Sequence, residues 1–376
     1  MKLFSLTVLS VSALSALVSA SPLVSKREAA ASSDSERRLI QLSEDAPAKW
    51  MTESEKLDLI RARTKFMDIT DHSTSRVVSL ANWTPYIPTK AEYQNEVKPF
   101  INQLNTKNME TILTTFSNFR NRYYKSSYGA QSCRWLIQQI KDVASGNSNV
   151  SVNQFDHSWG QFSIIARIEG SDASLKNELV IIGAHQDSIN MYSPTSGRAP
   201  GADDDGSGTV TILEAFRSLV QNGFKPERSV EFHWYSGEEG GLLGSQAVSS
   251  KYQQQGKKVV GMLQNDMTGY IGNNKEVIGI VTDHVDDKLT NFLKTLVDTY
   301  ASIPYVSTKC GYACSDHASW LKYGFPSAFA IESTFEDSNQ NIHSENDVIE
   351  GLSFNHMKEF SKLALGFAVE LSHKRN

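Results

Sequence analysis

This chain of 376 residues has few cysteines, little excess charge and, after its first twenty residues, no long apolar run. Three cysteines are too few for a disulfide-dense scaffold. A formal net charge of -5 leaves no basic surface for nucleic acid. A membrane-spanning helix needs about 20 apolar residues, and no later segment supplies them. These absences predict a globular protein without nucleic-acid or membrane partners, long enough for one large core or two domains.

Two further absences concern glycine and catalytic serine. No glycine occurs before Gly129, and the serine-nucleophile motif Gly-x-Ser-x-Gly does not occur at all. The second absence argues against a hydrolase that forms a covalent intermediate on such a serine.

The first twenty residues have the three parts of a secretory signal peptide. Lys2 supplies the positive charge, residues 3–18 are almost wholly apolar or small, and Val18-Ser-Ala20 has the form of a cleavage site. The apolar stretch is short for a membrane span, although a signal anchor is the alternative. We therefore predict a signal peptide at 1–20 and a secreted, extracellular mature protein, in surroundings where disulfides persist.

Residues 21–88 differ in character from the remainder of the chain. They carry the dibasic pairs Lys26-Arg27 and Arg37-Arg38, and the apolar spacing from Glu53 to Asp68 predicts an amphipathic helix. The segment is either a flexible leader or a pro-segment that assists folding or covers a functional site before its removal. Because it follows a signal peptide, we favour a pro-segment, hence a zymogen. The catalytic domain then spans 89–376, after a proline-bearing linker at 82–88.

Strand-like and helical patterns alternate through the second half of the chain. Short apolar runs predict buried strands, and apolar residues at helical spacing predict helices. Such alternation predicts an α/β fold, with a mostly parallel central sheet flanked by helices on both faces, in a single catalytic domain. The predicted strands are 163–168, 179–184, 230–235, 259–263, 277–281 and 328–331, and the predicted helices include 131–143, 210–220, 245–254, 289–300 and 354–371.

Histidine and acidic residues, which can bind metal ions, follow three of these strands. His185 and Asp187 follow the second strand, Glu238-Glu239 the third, and Asp266 the fourth. The carboxyl ends of parallel strands lie at one edge of a sheet, which is where ligands bind in such folds. We expect these side chains to lie together on that edge.

A fourth group of acids lies in the glycine-bracketed turn Ala199-Pro-Gly-Ala-Asp-Asp-Asp-Gly-Ser-Gly208. Three adjacent carboxylates repel one another and make a poor core, but a turn can present one of them to a cation. With His185, Glu239, Asp266 and His343 they form a minimal set for a pair of zinc ions, which prefer histidine nitrogen and carboxylate oxygen. The residues therefore predict a two-zinc hydrolase.

Six short motifs carry a closer resemblance. They are similar to, and in the same order as, those of the two-zinc aminopeptidase family, and most closely resemble the secreted leucine aminopeptidases of filamentous fungi. The resemblance covers about residues 90–376. The motifs are Ala184-His-Gln-Asp187, Gly201-Ala-Asp-Asp-Asp-Gly206, Gly237-Glu-Glu239, Asn265-Asp-Met267, Cys310-Gly-Tyr-Ala-Cys314 and Ile342-His343.

The resemblance assigns a role to each candidate. It implies two Zn²⁺ ions per chain, one held by His185 and Asp266, the other by Glu239 and His343, with Asp204 bridging them. It also implies that Glu238 is the general base and that Asp187 orients His185. Asp203 and Asp205 are expected to be structural turn residues. His317 is expected near the site but not as a ligand, and the remaining histidines are expected to be structural or exposed: His72, His157, His233, His284, His356 and His373.

The resemblance also implies how a substrate binds. Tyr312 would lie near the substrate carbonyl. An apolar side-chain pocket would favour Leu, Phe, Met or Ile at the substrate N-terminus, with a broad preference because one methylene contributes only about 1–3 kcal/mol. Each pocket residue could equally be ordinary core, and these residues are Met267, Phe329, Ile331, Phe335 and Ile342.

Covalent features follow from the exported context. Cys310 and Cys314, four residues apart, are expected to form a disulfide that fixes Tyr312 between them, which leaves Cys133 free and buried. Asn149 and Asn82 begin glycosylation sequons, and Asn82 would leave with the pro-segment.

We predict a monomeric, zinc-dependent exopeptidase that removes N-terminal residues from peptides with a free N-terminus. A carboxypeptidase or an aminoacyl cyclase on the same fold is the rival enzyme. A metal-free binding module is the rival from another class.

Overall fold

The computed structural model describes residue 1, residues 36–72 and residues 83–374. Beyond Met1, the predicted signal peptide lies outside the described residues, as does Asn82. The described strands are β1 (Arg38–Gln41), β2 (Lys49–Met51), β3 (Met67–Asp68), β4 (Val150–Phe155), β5 (Ser163–Ile168), β6 (Glu178–His185), β7 (Ser229–Tyr235), β8 (Lys258–Asn265), β9 (Ile278–Val281), β10 (Tyr305–Thr308) and β11 (Ser327–Ile331).

The described α-helices flank these strands. They are α1 (Glu53–Arg61), α2 (Gln94–Ile101), α3 (Thr106–Phe116), α4 (Ser127–Ala144), α5 (Gly206–Gln221), α6 (Leu243–Gln254), α7 (Asp287–Tyr300), α8 (His317–Lys322) and α9 (Phe354–Ser372). Among the described residues, none of the helices is both long enough and apolar enough to cross a bilayer.

Eight strands form the central sheet, in the order β10-β9-β11-β8-β6-β7-β5-β4. β6 lies in the middle and pairs in parallel with β7 and β8, and β8 pairs in parallel with β11. β9 and β10 are parallel to each other, while β4, β5 and the β9–β11 pair join the sheet in antiparallel fashion. The predicted mostly parallel central sheet is confirmed. The three antiparallel pairs make it a mixed sheet.

Alternating side chains of β6 pack into two different layers. Val180 and Ile182 join a large core formed with α2, α3, α4, α5, α7 and α9. Leu179 and Ile181 face the opposite way, into a smaller core with α6 and α8. Successive strand residues point to opposite faces, so a run that is apolar at every position needs helices on both faces, as predicted.

Residues 36–72 form a separate small sheet, with strand order β2-β1-β3 and helix α1 beside it. Thr52 and Glu55 make a capping box at the start of α1. The predicted helix over 53–68 is wrong in its second half, because α1 ends at Arg61 and Met67–Asp68 pairs with β1 instead. Apolar spacing alone does not distinguish a longer helix from a helix followed by a strand.

Candidate active site

Two clusters of histidine and carboxylate lie at the predicted edge of the sheet and share Asp204. His185 Nε2 lies 3.1 Å from Asp204 Oδ1 and 3.6 Å from Asp266 Oδ1. His343 Nε2 lies 3.0 Å from Asp204 Oδ2 and 3.1 Å from Glu239 Oε2. In each cluster the three possible ligand atoms lie within 4.8 Å of one another. The structure thus brings together all five residues predicted to hold metal.

Different elements supply these five side chains. His185 is the last residue of β6, and Asp266 directly follows β8. Glu239 lies in the loop after β7, and Asp204 lies just before α5. His343 follows β11 in a long loop and has a left-handed φ of 60°, a conformation that is unusual away from glycine. The ends of parallel strands therefore position most of the cluster.

Asp187 contacts both halves of the site. Its Oδ1 lies 3.5 Å from His185 Nδ1, in line with the predicted orienting role. The same carboxylate accepts hydrogen bonds from the backbone N–H groups of Glu238 and Glu239, at 3.0 and 3.2 Å. Asp187 therefore also holds the loop that carries Glu238, a contact that the sequence did not predict.

Asp203 and Asp205 anchor the turn around Asp204. Asp205 caps α5 by accepting from Gly208 N, and it also accepts from the backbone N–H groups of His185 and Met267. Asp203 accepts from Gly269 N at 3.1 Å. The peptide bond between Asp204 and Asp205 is cis. Both flanking acids thus make backbone contacts of the kind expected for turn residues.

Asp347 is a functional neighbour that sequence reasoning missed. Its two carboxylate oxygens accept from the backbone N–H groups of Asp203 and Asp204, at 3.0 and 3.1 Å. It lies 143 residues further along the chain, so no local pattern links it to the turn. It fixes the backbone from which the shared carboxylate projects.

Opposite charges dominate the electrostatics of the shared carboxylate. Burial opposes ionisation of Asp204, but hydrogen bonds from His185 and His343 outweigh it and lower the pKa of Asp204 well below its usual range. Burial also disfavours the cation of His343, yet the carboxylates of Glu239 and Asp204 raise its pKa to about 10. The site is a place where positive charge is strongly stabilised.

Glu238 lies beside the clusters and faces the same cavity. Burial raises the pKa of Glu238 well above its usual value, and the nearby carboxylates of Asp316 and Glu239 raise it further. It is not a member of either three-ligand cluster. A carboxyl group with a raised pKa is a stronger base than an ordinary glutamate.

An apolar pocket opens directly onto the clusters. The cavity has a volume of about 310 Å³, and its polar wall includes Asp204, Glu238, Glu239, Asp266 and His343. Its apolar wall contains every residue predicted to form the side-chain pocket: Met267, Phe329, Ile331, Phe335 and Ile342. The same five side chains pack in one apolar group. The predicted ligands and the predicted pocket are therefore adjacent.

The loop 310–314 has the predicted covalent form. Cys310 and Cys314 make a disulfide, and Cys133 is free and buried. Tyr312 is not among the residues that line the cavity. Its hydroxyl donates to Gln41 Oε1 at 2.8 Å. His317 is buried against Phe329 with ring centroids 4.9 Å apart, and it belongs to neither of the clusters around Asp204.

Ser315 and Asp316 are further site neighbours missed from the sequence, although they directly follow a quoted motif. Ser315 Oγ donates to Asp266 Oδ2 at 2.6 Å. Asp316 is fully buried, and burial raises its pKa to about 7. They directly precede the short helix α8, which was not predicted from the sequence.

The N-terminal segment 36–72 forms the other wall of the cavity. Ile60, Arg63, Thr64, Lys65 and Phe66 all line it. The segment is attached by backbone contacts such as Asp68 N to Gly241 O, at 3.0 Å. The sequence suggested that this segment covers a functional site, but it did not identify the residues that do so.

The donor set of the two clusters fits a pair of zinc ions. Each cluster offers one imidazole nitrogen and two carboxylates, which are the atoms that zinc prefers. Two of the carboxylate oxygens, Glu239 Oε1 and Asp266 Oδ1, are buried without a hydrogen-bond partner. Buried polar atoms without partners are costly, and a cation bound in each cluster would provide a partner for the carboxylate of that cluster.

The family model for peptidase family M28 matches residues 163–368. The match covers the strands and loops that carry all five candidate ligands. The chain belongs to this peptidase family.

Relatives extend the similarity over nearly the whole chain. The chain is 50% identical over 352 residues to Leucine aminopeptidase 1 of Chaetomium globosum, covering 90% of this chain and 86% of the relative. It is 51% identical over 347 residues to Leucine aminopeptidase 1 of Blastomyces gilchristii, covering 89% of each. The crystal structure of the Legionella pneumophila LapA aminopeptidase superposes with a TM-score of 0.79 at 30% identity, over 91% of this chain and 95% of that one. The family and these relatives confirm the predicted enzyme class, a zinc-dependent aminopeptidase.

Proposed function

We propose that this protein is an extracellular two-zinc aminopeptidase that removes N-terminal residues, preferably leucine and other large apolar ones, from peptides. One observation carries the proposal: a single cavity is lined on one side by four of the five candidate metal ligands and on the other by five apolar side chains. A reaction centre so close to an apolar pocket suits a substrate whose terminal residue alone is buried.

The residues that would hold the ions divide into two sets. His185 and Asp266 would hold one ion, His343 and Glu239 would hold the other, and Asp204 would contribute to both. Two zinc ions in these sets would polarise the carbonyl of the scissile peptide bond and acidify a water molecule.

Glu238 would move the proton. It takes a proton from the water whose oxygen attacks the scissile carbonyl carbon, and it gives that proton to the amine nitrogen as the C–N bond breaks. Burial and the neighbouring carboxylates raise the pKa of Glu238, which makes it a stronger proton acceptor. Asp187 keeps Glu238 in place through the backbone N–H of that residue.

The chain's own residues also select the substrate end. The substrate's free α-amine would lie at the candidate metal ligands, and the adjacent apolar pocket would receive the side chain. That pocket is formed by Met267, Phe329, Ile331, Phe335 and Ile342. A cavity of about 310 Å³ is at the small end of ligand pockets. Both features support an exopeptidase that requires a free N-terminus.

The N-terminal segment acts as a pro-segment in this proposal. Five of its residues line the cavity, and its Gln41 holds the hydroxyl of Tyr312. Removal of the segment would open the cavity and free Tyr312 to approach the substrate carbonyl. The proposed boundary now lies upstream of Trp83, since Trp83 and Ile87 pack against the main core. Cleavage would therefore fall between the described ranges 36–72 and 83–374.

Secretion and a monomeric state complete the proposal. The signal-peptide pattern at 1–20, the disulfide and the exposed sequon at Asn149 all suit an extracellular glycoprotein. Size-exclusion chromatography coupled to light scattering of the secreted protein tests the monomer.

The decisive experiment is a substrate panel with matched metal states. Leucyl, phenylalanyl and alanyl amides are compared with N-acetylated peptides that keep a free carboxyl terminus, with and without a chelator, followed by addition of zinc. We expect the leucyl and phenylalanyl amides to be hydrolysed faster than the alanyl amide, with loss of activity in chelator and recovery with zinc. Cleavage of N-acetylated peptides would favour the carboxypeptidase rival, and absence of zinc from active protein would overturn the metal assignment.

A further inference from the structure

Arg122 is a buried cation close to the candidate metal site, in the turn between α3 and α4. It has no solvent exposure. Its guanidinium donates to three backbone carbonyls rather than to a carboxylate: Nε to Gln186 O at 2.9 Å, Nη2 to Gly201 O at 2.7 Å and Nη1 to Pro200 O. The sequence singled out neither this residue nor its partners.

These three carbonyls lie at the two ends of the single loop 186–205, which connects β6 to α5. Gln186 directly follows His185, and Gly201, preceded by Pro200, lies three residues before Asp204. The guanidinium therefore spans the gap between one histidine and the shared carboxylate. A planar group with N–H donors in a fixed fork sets such a spacing, whereas an ammonium group does not.

Further contacts hold the guanidinium in place. Its Cζ lies 4.2 Å from the ring centroid of Phe116, which packs against its flat face. Ser188 makes a second link between the two ends of the loop 186–205. Its hydroxyl accepts from Arg122 N at 3.0 Å and donates to Ala199 O at 2.9 Å. Gly201 has φ of 50°, and a Cβ there would lie 2.7 Å from Nη2. The loop is built to approach the guanidinium closely.

The charge around Arg122 suits a fixed cation. The carboxylates of four aspartates favour its charged form through their opposite charge: Asp347, Asp187, Asp205 and Asp204. Burial lowers the pKa of Arg122 to about 10, so it stays charged at neutral pH. One positive charge among these carboxylates reduces their mutual repulsion without occupying a ligand position.

We infer that Arg122 is a positioning residue for metal binding: by tying the start of the loop 186–205, just after β6, to its end, just before α5, it sets the distance between His185 and Asp204. This rests on the proposed two-zinc function. Because His185 belongs to only one of the clusters, loosening this tie weakens the zinc held by His185, Asp204 and Asp266 more than the zinc held by Asp204, Glu239 and His343.

The test compares Arg122→Lys with Arg228→Lys. Arg228 is a matched control because it also ties backbone carbonyls, those of Leu371 and His373, but it precedes β7 at the opposite end of the strand from Glu238. Zinc affinity at both sites is measured by chelator competition, together with thermal unfolding of the zinc-free protein. Loss of a residue that orients metal ligands typically weakens affinity by 10–100-fold. We expect a weakening of that size at one site in Arg122→Lys, and unchanged affinity in Arg228→Lys.

Each outcome decides the inference. Equal zinc affinities in the two variants would overturn it and leave Arg122 a purely structural residue. If Arg122→Lys does not fold, Ser188→Ala is used instead, because it removes only the weaker link between the two ends of the loop 186–205. Wild-type zinc affinity at both sites in that variant would overturn the inference. If the wild-type protein itself binds no zinc, the proposed function fails instead, and the two failures are thereby distinguished.

Discussion

A single carboxylate connects the two halves of the candidate metal site. Asp204 directs Oδ1 at His185 and Oδ2 at His343, at 3.1 and 3.0 Å. Its backbone N–H is held in turn by Asp347. Because both clusters use the same side chain, any shift of Asp204 affects both, whereas a change at Asp266 or Glu239 affects one.

The first prediction concerns Glu238, the proposed general base. Glu238→Gln keeps the shape of the side chain and leaves both ligand clusters intact, so zinc content stays at that of the wild type. Turnover falls by about 10²–10⁴-fold, the usual contribution of a positioned acid or base. Steady-state kinetics on leucyl amide measure the turnover, and zinc analysis of the same sample measures the metal content. Glu350→Gln, on an exposed residue, serves as the control, and near-normal turnover in Glu238→Gln would remove Glu238 from its role.

The second prediction concerns Phe335, a partly exposed residue of the pocket wall. Phe335→Ala removes apolar surface that only a large substrate side chain contacts. We expect kcat/KM for leucyl amide to fall by about tenfold relative to alanyl amide, within the range that pocket contacts contribute. Competition between the two amides measures the ratio directly. An unchanged ratio would mean that Phe335 belongs to the core alone.

At the scale of elements, the strands of the sheet separate an apolar layer from a partly polar one. In β7, Val230, Phe232 and Trp234 enter the large core. The alternate residues form a buried hydrogen-bonded chain on the other face: Glu231 Oε2 to His233 Nε2 at 3.0 Å, and His233 Nδ1 to the Tyr235 hydroxyl at 3.0 Å. One strand thereby supplies both apolar burial and a buried polar network.

The third prediction is the acid sensitivity of this network. Burial opposes ionisation of Glu231, but His233 and Arg167 outweigh it and lower its pKa to about 2. A carboxylate with a lowered pKa stabilises the folded state above its unfolded pKa of about 4.3, and this stabilisation is lost as the pH falls toward 2. Wild type should therefore exceed Glu231→Gln in free energy of unfolding at pH 7, by on the order of 3 kcal/mol, and the difference should shrink between pH 4.3 and 2.

Urea unfolding at several pH values measures that difference. Glu169→Gln is the control, because Glu169 contacts the same Arg167 at 2.6 Å but is exposed. Its difference from wild type should be small at every pH. A Glu231→Gln difference that does not depend on pH would contradict the assignment.

Elements were predictable from the sequence where burial was complete. The strands β6, β7, β8 and β11 are almost wholly buried and read as short apolar runs. β4 and β10 lie at the two edges of the sheet, and nearly all of their residues are exposed or half-buried. Neither strand was predicted. An edge strand packs on fewer neighbours, so its composition is less constrained.

At the scale of the whole molecule, the segment 36–72 lies over the candidate site. Buried ion pairs hold this segment together. Asp68 is 1% exposed and pairs with Arg38 at 2.8 Å and with Lys56 at 3.4 Å. Burial opposes ionisation of Asp68, but these cations lower its pKa below the usual value. The segment therefore has a folded centre of its own, adjacent to the cavity.

The fourth prediction is that this centre controls access. Asp68→Ala leaves Lys56 buried with only the more distant Glu53 at 3.6 Å, and removal of one partner from a buried pair is strongly destabilising. The uncut chain should then hydrolyse leucyl peptides several-fold faster than uncut wild type. Initial rates are measured while mass spectrometry verifies an intact chain.

Asp71→Ala is the matched control for that experiment, because Asp71 is exposed and contacts only Arg38 among the ion pairs of this cluster, at 2.8 Å. It should leave the rate of the uncut chain unchanged. If Asp68→Ala releases the segment to added protease without any gain in rate, the segment does not restrict the site.

The sequence by itself determined the α/β fold, the family and the five residues that now lie together around Asp204. It did so because zinc chemistry needs particular atoms, and because parallel strands bring their carboxyl ends to one edge whatever the intervening loops. Only the tertiary structure decided what surrounds those residues: Asp347 on the backbone of Asp204, Arg122 between the two ends of the loop 186–205, and residues 60–66 over the cavity. These contacts join positions far apart in the chain through backbone atoms, and a backbone carbonyl or N–H is the same in every residue, so the sequence carries no local signal for them.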